Sequence, residues 1–184
     1  MKSLKGQLLI ASPRLLDPNF VQTVVLMVQH DKNGALGLVL NRPTELTLRQ
    51  AWEQVSQSTC ERNDNLYVGG PCEGVLMAIH PFAEASQIEV LPGLHFATET
   101  DHIKWLIQQG DEKNVRFFVG YAGWTAGQLE NEIEGGSWLS MPATIERVFA
   151  SVETLWRQAK REIELAAILG KANPGILPSD PGLN

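Results

Sequence analysis

Cysteine is scarce in this chain, since Cys60 and Cys72 are the only two among 184 residues. Two thiols cannot build the disulfide framework of a small secreted domain, and their spacing is not the paired spacing of a zinc site. Long apolar runs are also missing: the first one covers only residues 8–11. A signal-peptide core and a membrane span both need longer runs, so we expect a protein of the reducing cytoplasm.

Basic residues are in deficit, because 15 Lys and Arg face 21 Asp and Glu, giving a net charge of −6. Direct nucleic-acid binding is disfavoured, since proteins that bind nucleic acid usually carry a basic surface. A chain of this length can bury a core without disulfide or metal staples. Glycine and proline are scattered rather than gathered in a linker, which predicts a single domain over residues 1–184, with a loosely held tail from about residue 170.

Common enzyme signatures are absent too. Gly170-Lys171 is followed by Ala172, so the chain has no Walker loop. It also has no Gly-x-Gly-x-x-Gly after a strand, no Gly-x-Ser-x-Gly elbow and no His-Glu-x-x-His pair. Their absence favours a role without catalysis and predicts neither a cofactor nor a bound metal.

Short apolar runs separated by turn residues predict strands at the start of the chain. Residues 7–11, 23–28 and 36–40 are such runs, and Asn33-Gly34 predicts an antiparallel hairpin between the second and the third. Both hairpin arms are almost wholly apolar, so we expect this strand pair to be covered on both faces.

Capping motifs and apolar periodicity predict the helices. Thr47 and Gln50 match a capping box, Thr125 and Gln128 match another, and Thr98 or Thr100 is expected to cap a helix that ends at Gly110. Residues 145–163 keep a helical period with a break near Ser151, and Pro142 suits a first helical turn. Tightly joined strands followed by irregularly spaced helices indicate an α+β fold with antiparallel sheet.

Two segments are typical of a binding surface. Asn41 and Arg42 follow an apolar strand with an amide and a guanidinium, both suited to holding an anionic or polar group. Residues 120–130 run from a strand through a glycine bend to a helix start, where unpaired backbone N–H groups favour an anion. If the glycines only permit tight packing, this second segment is structural instead.

Histidine supports a different hypothesis. His30 and His80 each end an apolar strand, where an imidazole can face a cleft as a base or metal ligand or be satisfied by the backbone. A hydrolase or metal-dependent enzyme would use His30, Asp17 or His80 with Glu132. A third alternative is that the site-like surface is an oligomer interface.

Six separated blocks of the sequence carry a specific family resemblance. They comprise residues 6–13, residues 17–43 with Asp17-Pro18-Asn19-Phe20 and Asn41-Arg42-Pro43, then 69–71, 92–94, 120–124, and 127–132 with Trp138. In these blocks the chain resembles the bacterial family labelled AlgH or YqgE. The resemblance implies an α+β fold with a bifurcated, mostly antiparallel sheet, part of it a small barrel, surrounded by helices. It also implies a family of unassigned molecular activity that carries a transcriptional-regulator label through alginate regulation.

The leading hypothesis is therefore a cytoplasmic, non-catalytic binding or regulatory protein. It acts through an unknown protein or a small anionic ligand rather than by direct DNA contact, and its oligomeric state stays open. We expect distant parts of the chain to meet in one binding surface. Its predicted residues are Asn41, Arg42, Gly69, Gly70, Gly123, Trp124, Gln128, Glu132 and His30.

Overall fold

The computed structural model describes residues 2–56, 59–111 and 113–170. Its strands and helices, numbered in chain order, are β1 (Gln7–Ala11), β2 (Val24–Asp31), β3 (Gly34–Val39), β4 (Pro43–Thr47), α1 (Leu48–Val55), β5 (Asn65–Val68), β6 (Met77–His80), β7 (Ile88–Leu91), β8 (Leu94–Ala97), α2 (Thr100–Gln109), β9 (Arg116–Val119), β10 (Ala122–Thr125), α3 (Gln128–Glu134), β11 (Trp138–Pro142), α4 (Ile145–Val148) and α5 (Val152–Ile168). A short 3₁₀ turn at Ala83–Ala85 separates β6 from β7.

The strands form two sheets. The first has the order β10-β3-β2-β1-β11 and is antiparallel throughout. The second has the order β4-β5-β9-β6-β8-β7, in which β5 and β9 are parallel and the other neighbours antiparallel. Neither sheet closes into a barrel within the residues described. The predicted α+β class with a mostly antiparallel sheet is confirmed.

Apolar side chains cover both faces of each sheet. In β1, Leu8 and Ile10 face a central core between the sheets, whereas Leu9 and Ala11 face the opposite side, toward α3. This alternation follows from the two-residue repeat of a strand. The central core also receives residues of β6, β8, β9, α4 and α5, and a third core lies between the second sheet and helices α1 and α2. The expectation of a strand pair covered on both faces is confirmed.

The chain passes from one sheet to the other at two places. One crossing runs from β3 through residues 40–42 into β4, and the other runs from β9 through Gly120 and Tyr121 into β10. Gly69 and Gly70 lie against the second crossing. A Cβ atom on Gly69 would sit 2.3 Å from the carbonyl oxygen of Gly120, and one on Gly70 would sit 2.3 Å from the backbone nitrogen of Ala122. Larger residues would push the crossing apart.

The predicted N-terminal hairpin is confirmed, with one correction to its turn. Strands β2 and β3 pair antiparallel, but Asp31 pairs with Gly34, so the loop is Lys32-Asn33 rather than Asn33-Gly34. Gly34 opens β3 with a φ of 141°. The Oδ1 atom of Asp31 accepts a hydrogen bond from the Asn33 N–H at 2.7 Å, which stabilises the loop.

Helix starts are confirmed in one case and corrected in three. The capping box at Thr47 and Gln50 is present. By contrast, α2 begins after Glu99 without a side-chain cap, and α3 begins after Gly127, because Thr125 belongs to strand β10. Pro142 ends β11. Tertiary pairing extends these strands over residues that local capping rules assign to helices.

Two further predictions concern the C-terminal part. The helix break near Ser151 is confirmed, since Ser151 separates α4 from α5 as the N-cap of α5. The tail expected from about residue 170 lies outside the described residues except for Gly170. The hairpin of β7 and β8 was not predicted, although Pro92-Gly93 between its two four-residue strands is a turn signal.

Candidate functional site

The predicted site residues separate into groups at opposite ends of β3. Asn41 and Arg42 follow its last residue, whereas His30 and Trp124 lie beside Ala35 near its start, because both pair with that residue in the first sheet. Six residues of extended chain separate Ala35 from Asn41, which corresponds to about 20 Å. The structure therefore does not bring the predicted residues into one cleft.

Asn41 and Arg42 hold the loop that precedes β2. The Asn41 carboxamide accepts a hydrogen bond from the Val24 N–H and donates one to the Gln22 carbonyl, each at 2.9 Å. The Nη2 atom of Arg42 donates to the carbonyl of Val21 at 2.9 Å and lies 3.4 Å from that of Pro18. Both side chains thus fasten residues 18–22 to the β3–β4 crossing.

Gln22 is held in a strained backbone conformation by these contacts. Its φ of 55° is the only positive value among the described non-glycine residues. The left-handed region costs a residue with a Cβ about 1 kcal/mol, and the hydrogen bond from Asn41 to the Gln22 carbonyl helps to offset that cost. Strain maintained in this way is frequent at binding sites.

A groove of about 540 Å³ opens beside this loop. Asn41, Arg42 and Gln22 form one wall, and α5 contributes the other through Glu153, Trp156 and Arg157. Residues three and four positions apart lie on one face of a helix, so these three side chains point the same way. The Nε1 atom of Trp156 donates to the Ala11 carbonyl at 2.8 Å, which fixes α5 against β1.

The predicted glycines do not form a binding surface with these residues. Gly69 and Gly70 are needed for the close approach of the backbone at the crossing described above. Gly123 is exposed in β10, but a Cβ there would lie 3.1 Å from the Tyr121 ring and 3.4 Å from the Cys72 sulfur. Cys72 itself makes an isolated bridge with Tyr121. These glycines have a packing role in the structure.

Glu132 is bound by two tryptophans at the other end of β3. Its Oε2 atom accepts hydrogen bonds from the indole N–H of Trp124 at 2.9 Å and from that of Trp138 at 2.8 Å. Its Oε1 atom accepts from the Gln128 amide at 3.0 Å. The structure therefore brings Trp124, Gln128 and Glu132 together, and their polar atoms bind one another.

His30 lies beside this group and contacts Glu130, which was not among the predicted site residues. A β-bulge between Met27 and Gln29 shifts the register of β2, so that His30 rather than Gln29 faces α3. The His30 Nδ1 atom accepts the Leu4 N–H at 3.0 Å, and Nε2 lies 3.0 Å from Oε1 of Glu130. Because Nδ1 is an acceptor, Nε2 carries the proton and donates a hydrogen bond to Glu130.

The residues of the enzyme hypothesis do not assemble into a reactive set. His30 bonds Glu130 and the N-terminal backbone, Glu132 bonds the two indoles, and the Oδ1 atom of Asp17 accepts the Asn19 N–H at 2.8 Å. Across the described ranges, no three His, Cys, Asp or Glu side chains are grouped so as to hold a metal ion. Helix α3 has seven residues and follows Gly127 as its N-cap. The side-chain oxygen of its first residue, Gln128, accepts a hydrogen bond from the Thr125 N–H.

His80 is buried without a partner for either ring nitrogen among the described residues. It stacks on Phe82 and on His95, with ring centroids 6.4 and 6.0 Å away. Burial, and secondly the neighbouring His95, lowers the pKa of the His80 imidazole from its ordinary 6.5 to about 4. The ring is therefore neutral in the folded protein at physiological pH.

Acidification is expected to lower the stability of the folded protein because His80 is buried in its neutral form. Between pH 6.5 and 4 the unfolded chain binds a proton at this residue and the folded protein does not, so the free energy of unfolding falls as the pH falls. The slope approaches about 1.4 kcal/mol per pH unit. Urea unfolding at pH 7, 6 and 5 should show a shallower slope for His80→Leu than for the wild type. Equal slopes would contradict the assignment.

Sequence reasoning did not place three residues in these two regions, although the charge pattern puts Arg157 with Lys160 and Arg161 on a basic face that was expected to be solvated. Arg157 and Trp156 reach the groove because α5 packs on β1, although their spacing with Glu153 was visible in the sequence. Glu130 lies within a resemblance block, but the bulge that turns His30 toward it leaves no clear sequence signal.

The architecture defines a class of α+β proteins in which two mostly antiparallel sheets are connected by two crossings of the chain. The solution structure of the AlgH protein from Pseudomonas aeruginosa superposes with a TM-score of 0.75 and 33% identity, covering 100% of this chain and 97% of that one. The crystal structure of a Corynebacterium diphtheriae protein superposes with a TM-score of 0.72 at 21% identity, covering 94% and 93%, and so shares the fold.

Sequence comparison gives the family. The profile of the family described as DUF179, AlgH-like, matches residues 8–167. A UPF0301 protein of Chlorobaculum tepidum is 40% identical over 162 residues, covering 85% of this chain and 84% of the relative. One of Myxococcus xanthus is 35% identical over 189 residues, covering 100% of both. The chain belongs to the AlgH-like family, so the predicted family membership is confirmed.

No helix in the described residues combines the length and the apolar character needed to cross a bilayer.

Proposed function

We propose that this AlgH-like protein is a non-catalytic binding or regulatory protein of the cytoplasm that holds a small anionic ligand. The ligand would occupy the groove lined by Asn41, Arg42 and Arg157. One observation carries the proposal: two guanidinium groups from distant parts of the chain line the same groove of about 540 Å³. Guanidinium groups bind carboxylates and phosphates through paired, charge-assisted hydrogen bonds.

The charge balance of the groove supports this choice of ligand. Arg42 and Arg157 contribute two positive charges and Glu153 one negative charge, so its lining residues sum to +1. The whole chain carries −6. A locally positive recess in an acidic protein favours small anions, whereas the acidic remainder repels a polyanion such as DNA.

The two arginines differ in how they would contribute. Arg42 is fastened to the carbonyls of residues 18 and 21, so its guanidinium is already oriented before a ligand arrives. Arg157 is exposed and makes no hydrogen bond or ion pair within the described part of the chain. Its donors are available to an incoming oxygen atom. A preorganised cation beside a free one lowers the ordering cost of binding.

A regulatory role would then work through the ligand or through a protein partner that responds to it. The transcriptional-regulator label that the resemblance implies is compatible with this route, because it requires no basic DNA-binding face. Loop 18–22 is a suitable reporting element, since Asn41 and Arg42 contact both the loop and the groove.

Replacing Arg157 with glutamine is expected to weaken phosphate binding about tenfold, the effect of one lost charge-assisted contact. Arg161→Gln is the matched control, because Arg161 is exposed on the same helix and does not line the groove. Inorganic phosphate and citrate are titrated at low salt, and binding is followed by backbone amide NMR shifts at residues 18–22 and 41–42. Equal effects of both substitutions, or shifts elsewhere only, would rule out this groove.

A further inference from the structure

A second cavity, of about 690 Å³, lies where the two sheets meet the first turn of α2. It is distinct from the groove of Arg42 and Arg157 and shares no lining residue with it. One wall is apolar and includes Met77, Ile88 and Phe96, together with the ring of Tyr121. Cavities of this size with apolar walls and a few polar groups are the usual form of small-molecule sites.

Two polar atoms near one end of the cavity have no hydrogen-bond partner among the described residues. The Oε2 atom of Glu99 receives no hydrogen bond among the described residues, and it lies 3.8 Å from Nδ1 of His102, too far for one. The same Nδ1 atom is shielded from solvent and has no hydrogen-bond partner. Both residues line the cavity. A ligand group that donates a hydrogen bond would satisfy the Glu99 oxygen, whereas the shielded Nδ1 atom is out of its reach.

Two other polar side chains at this end, Ser86 and Gln87, are already engaged. The Ser86 hydroxyl is hydrogen-bonded to Nδ1 of His95 at 2.9 Å. The Gln87 carboxamide accepts the Glu99 N–H at 2.9 Å and donates to Oε1 of Glu99 at 3.2 Å. Glu99 is therefore held in place by Gln87 with one oxygen left over for a ligand.

The sign of the local charge selects a cation over an anion. The N-terminus of α2 contributes about half a positive charge. Glu99, its N-cap, and Asp101, in its first turn, contribute a full negative charge each. The carboxylates outweigh the helix dipole. Tyr121 and Phe96 also line the cavity, and aromatic rings attract an ammonium group through cation–π contacts.

We propose that this cavity binds a small amphiphilic amine, with the ammonium group at Glu99 and the apolar body along Met77, Ile88 and Phe96. Val75 is 64% exposed at the cavity and extends its apolar wall outward. The site is independent of the anion groove, so either can fail without the other.

The test compares three probes of one shape: octylamine, octanol and octanoate. Titrations on the full chain at pH 8, where an alkylamine is charged, are followed by amide NMR shifts. Octylamine is expected to bind at least tenfold more tightly than octanoate, with shifts at residues 86–88 and 96–102. Equal binding of these two probes, no binding of octylamine, or shifts outside this region would overturn the proposal.

Two substitutions separate the contributions of charge and apolar surface. Glu99→Gln keeps the oxygen that accepts from Gln87, and it should weaken octylamine about fivefold, as for a partly exposed ion pair, while leaving octanol unchanged. Glu84→Gln, an exposed glutamate outside the cavity, and Arg157→Gln should change neither. Val75→Ser should weaken all binding probes about twofold to threefold. Unchanged octylamine affinity in Glu99→Gln would exclude the ammonium assignment.

Discussion

Replacing Glu132 with alanine is expected to lower the free energy of unfolding by about 4 kcal/mol. The Glu132 carboxylate accepts the indole N–H groups of Trp124 and Trp138. These tryptophans expose only 6% and 1% of their surface, and the Glu132 carboxylate is the acceptor for both of their N–H groups. A buried donor without an acceptor costs about 1 to 3 kcal/mol, and here there are two.

A graded series makes this result specific. In Glu132→Gln one oxygen can still accept from the indoles, but the new amide faces the amide of Gln128, so we expect a loss of about 1.5 kcal/mol. Glu134→Ala changes an exposed residue of the same helix and should stay within about 0.5 kcal/mol of wild type. Urea unfolding followed by tryptophan fluorescence measures all three. A Glu132→Ala loss no larger than that of Glu134→Ala would contradict the assignment.

Arg116→Met is expected to cost about 3 kcal/mol, because it removes two buried charge-assisted hydrogen bonds. The Nη1 atom donates to the Val148 carbonyl at 2.9 Å and Nη2 to the Ala150 carbonyl at 2.8 Å. The guanidinium lies over the rings of Tyr67 and Phe149, at 5.2 and 5.6 Å. Burial lowers the pKa of Arg116 from its ordinary value.

Two opposing effects set the size of the Arg116 result. Removing a buried cation returns part of its desolvation cost, while two carbonyls at the α4–α5 junction lose their donors. Methionine retains much of the apolar volume but no donor, so the lost hydrogen bonds dominate. Arg161→Met, on the exposed face of α5, is the control. Hydrogen exchange should accelerate at residues 148–150 in Arg116→Met only; unchanged exchange and stability would refute the role.

Parts of the fold could be predicted because they depend on neighbouring residues. A continuous apolar run defines β1, and the capping box at Thr47 and Gln50 starts α1. The same rule failed at Thr125, where pairing of β10 with β3 keeps that residue extended. Local propensities of this kind are weak compared with sheet pairing and burial.

The candidate site could be predicted only in its components. Asn41 and Arg42 were identified as polar groups after an apolar strand, and the structure places both at the edge of a groove. Their assumed neighbours Trp124, Gln128 and Glu132 lie at the far end of β3 and bind one another instead. No local pattern encodes which of two strand ends a distant segment will reach.

The amino-acid sequence alone determined the charge balance, the α+β class, the family and the secondary structure set by short-range patterns. Only the tertiary structure decided which side chains meet: Arg157 with Arg42 across the groove, Glu132 with two indoles, and His30 with Glu130 after a single-residue bulge in β2. The physical reason is the distance along the chain over which each effect acts. Alternation and capping act over a few residues, whereas these contacts depend on sheet register and helix packing, and a shift of one residue turns a strand side chain to the opposite face.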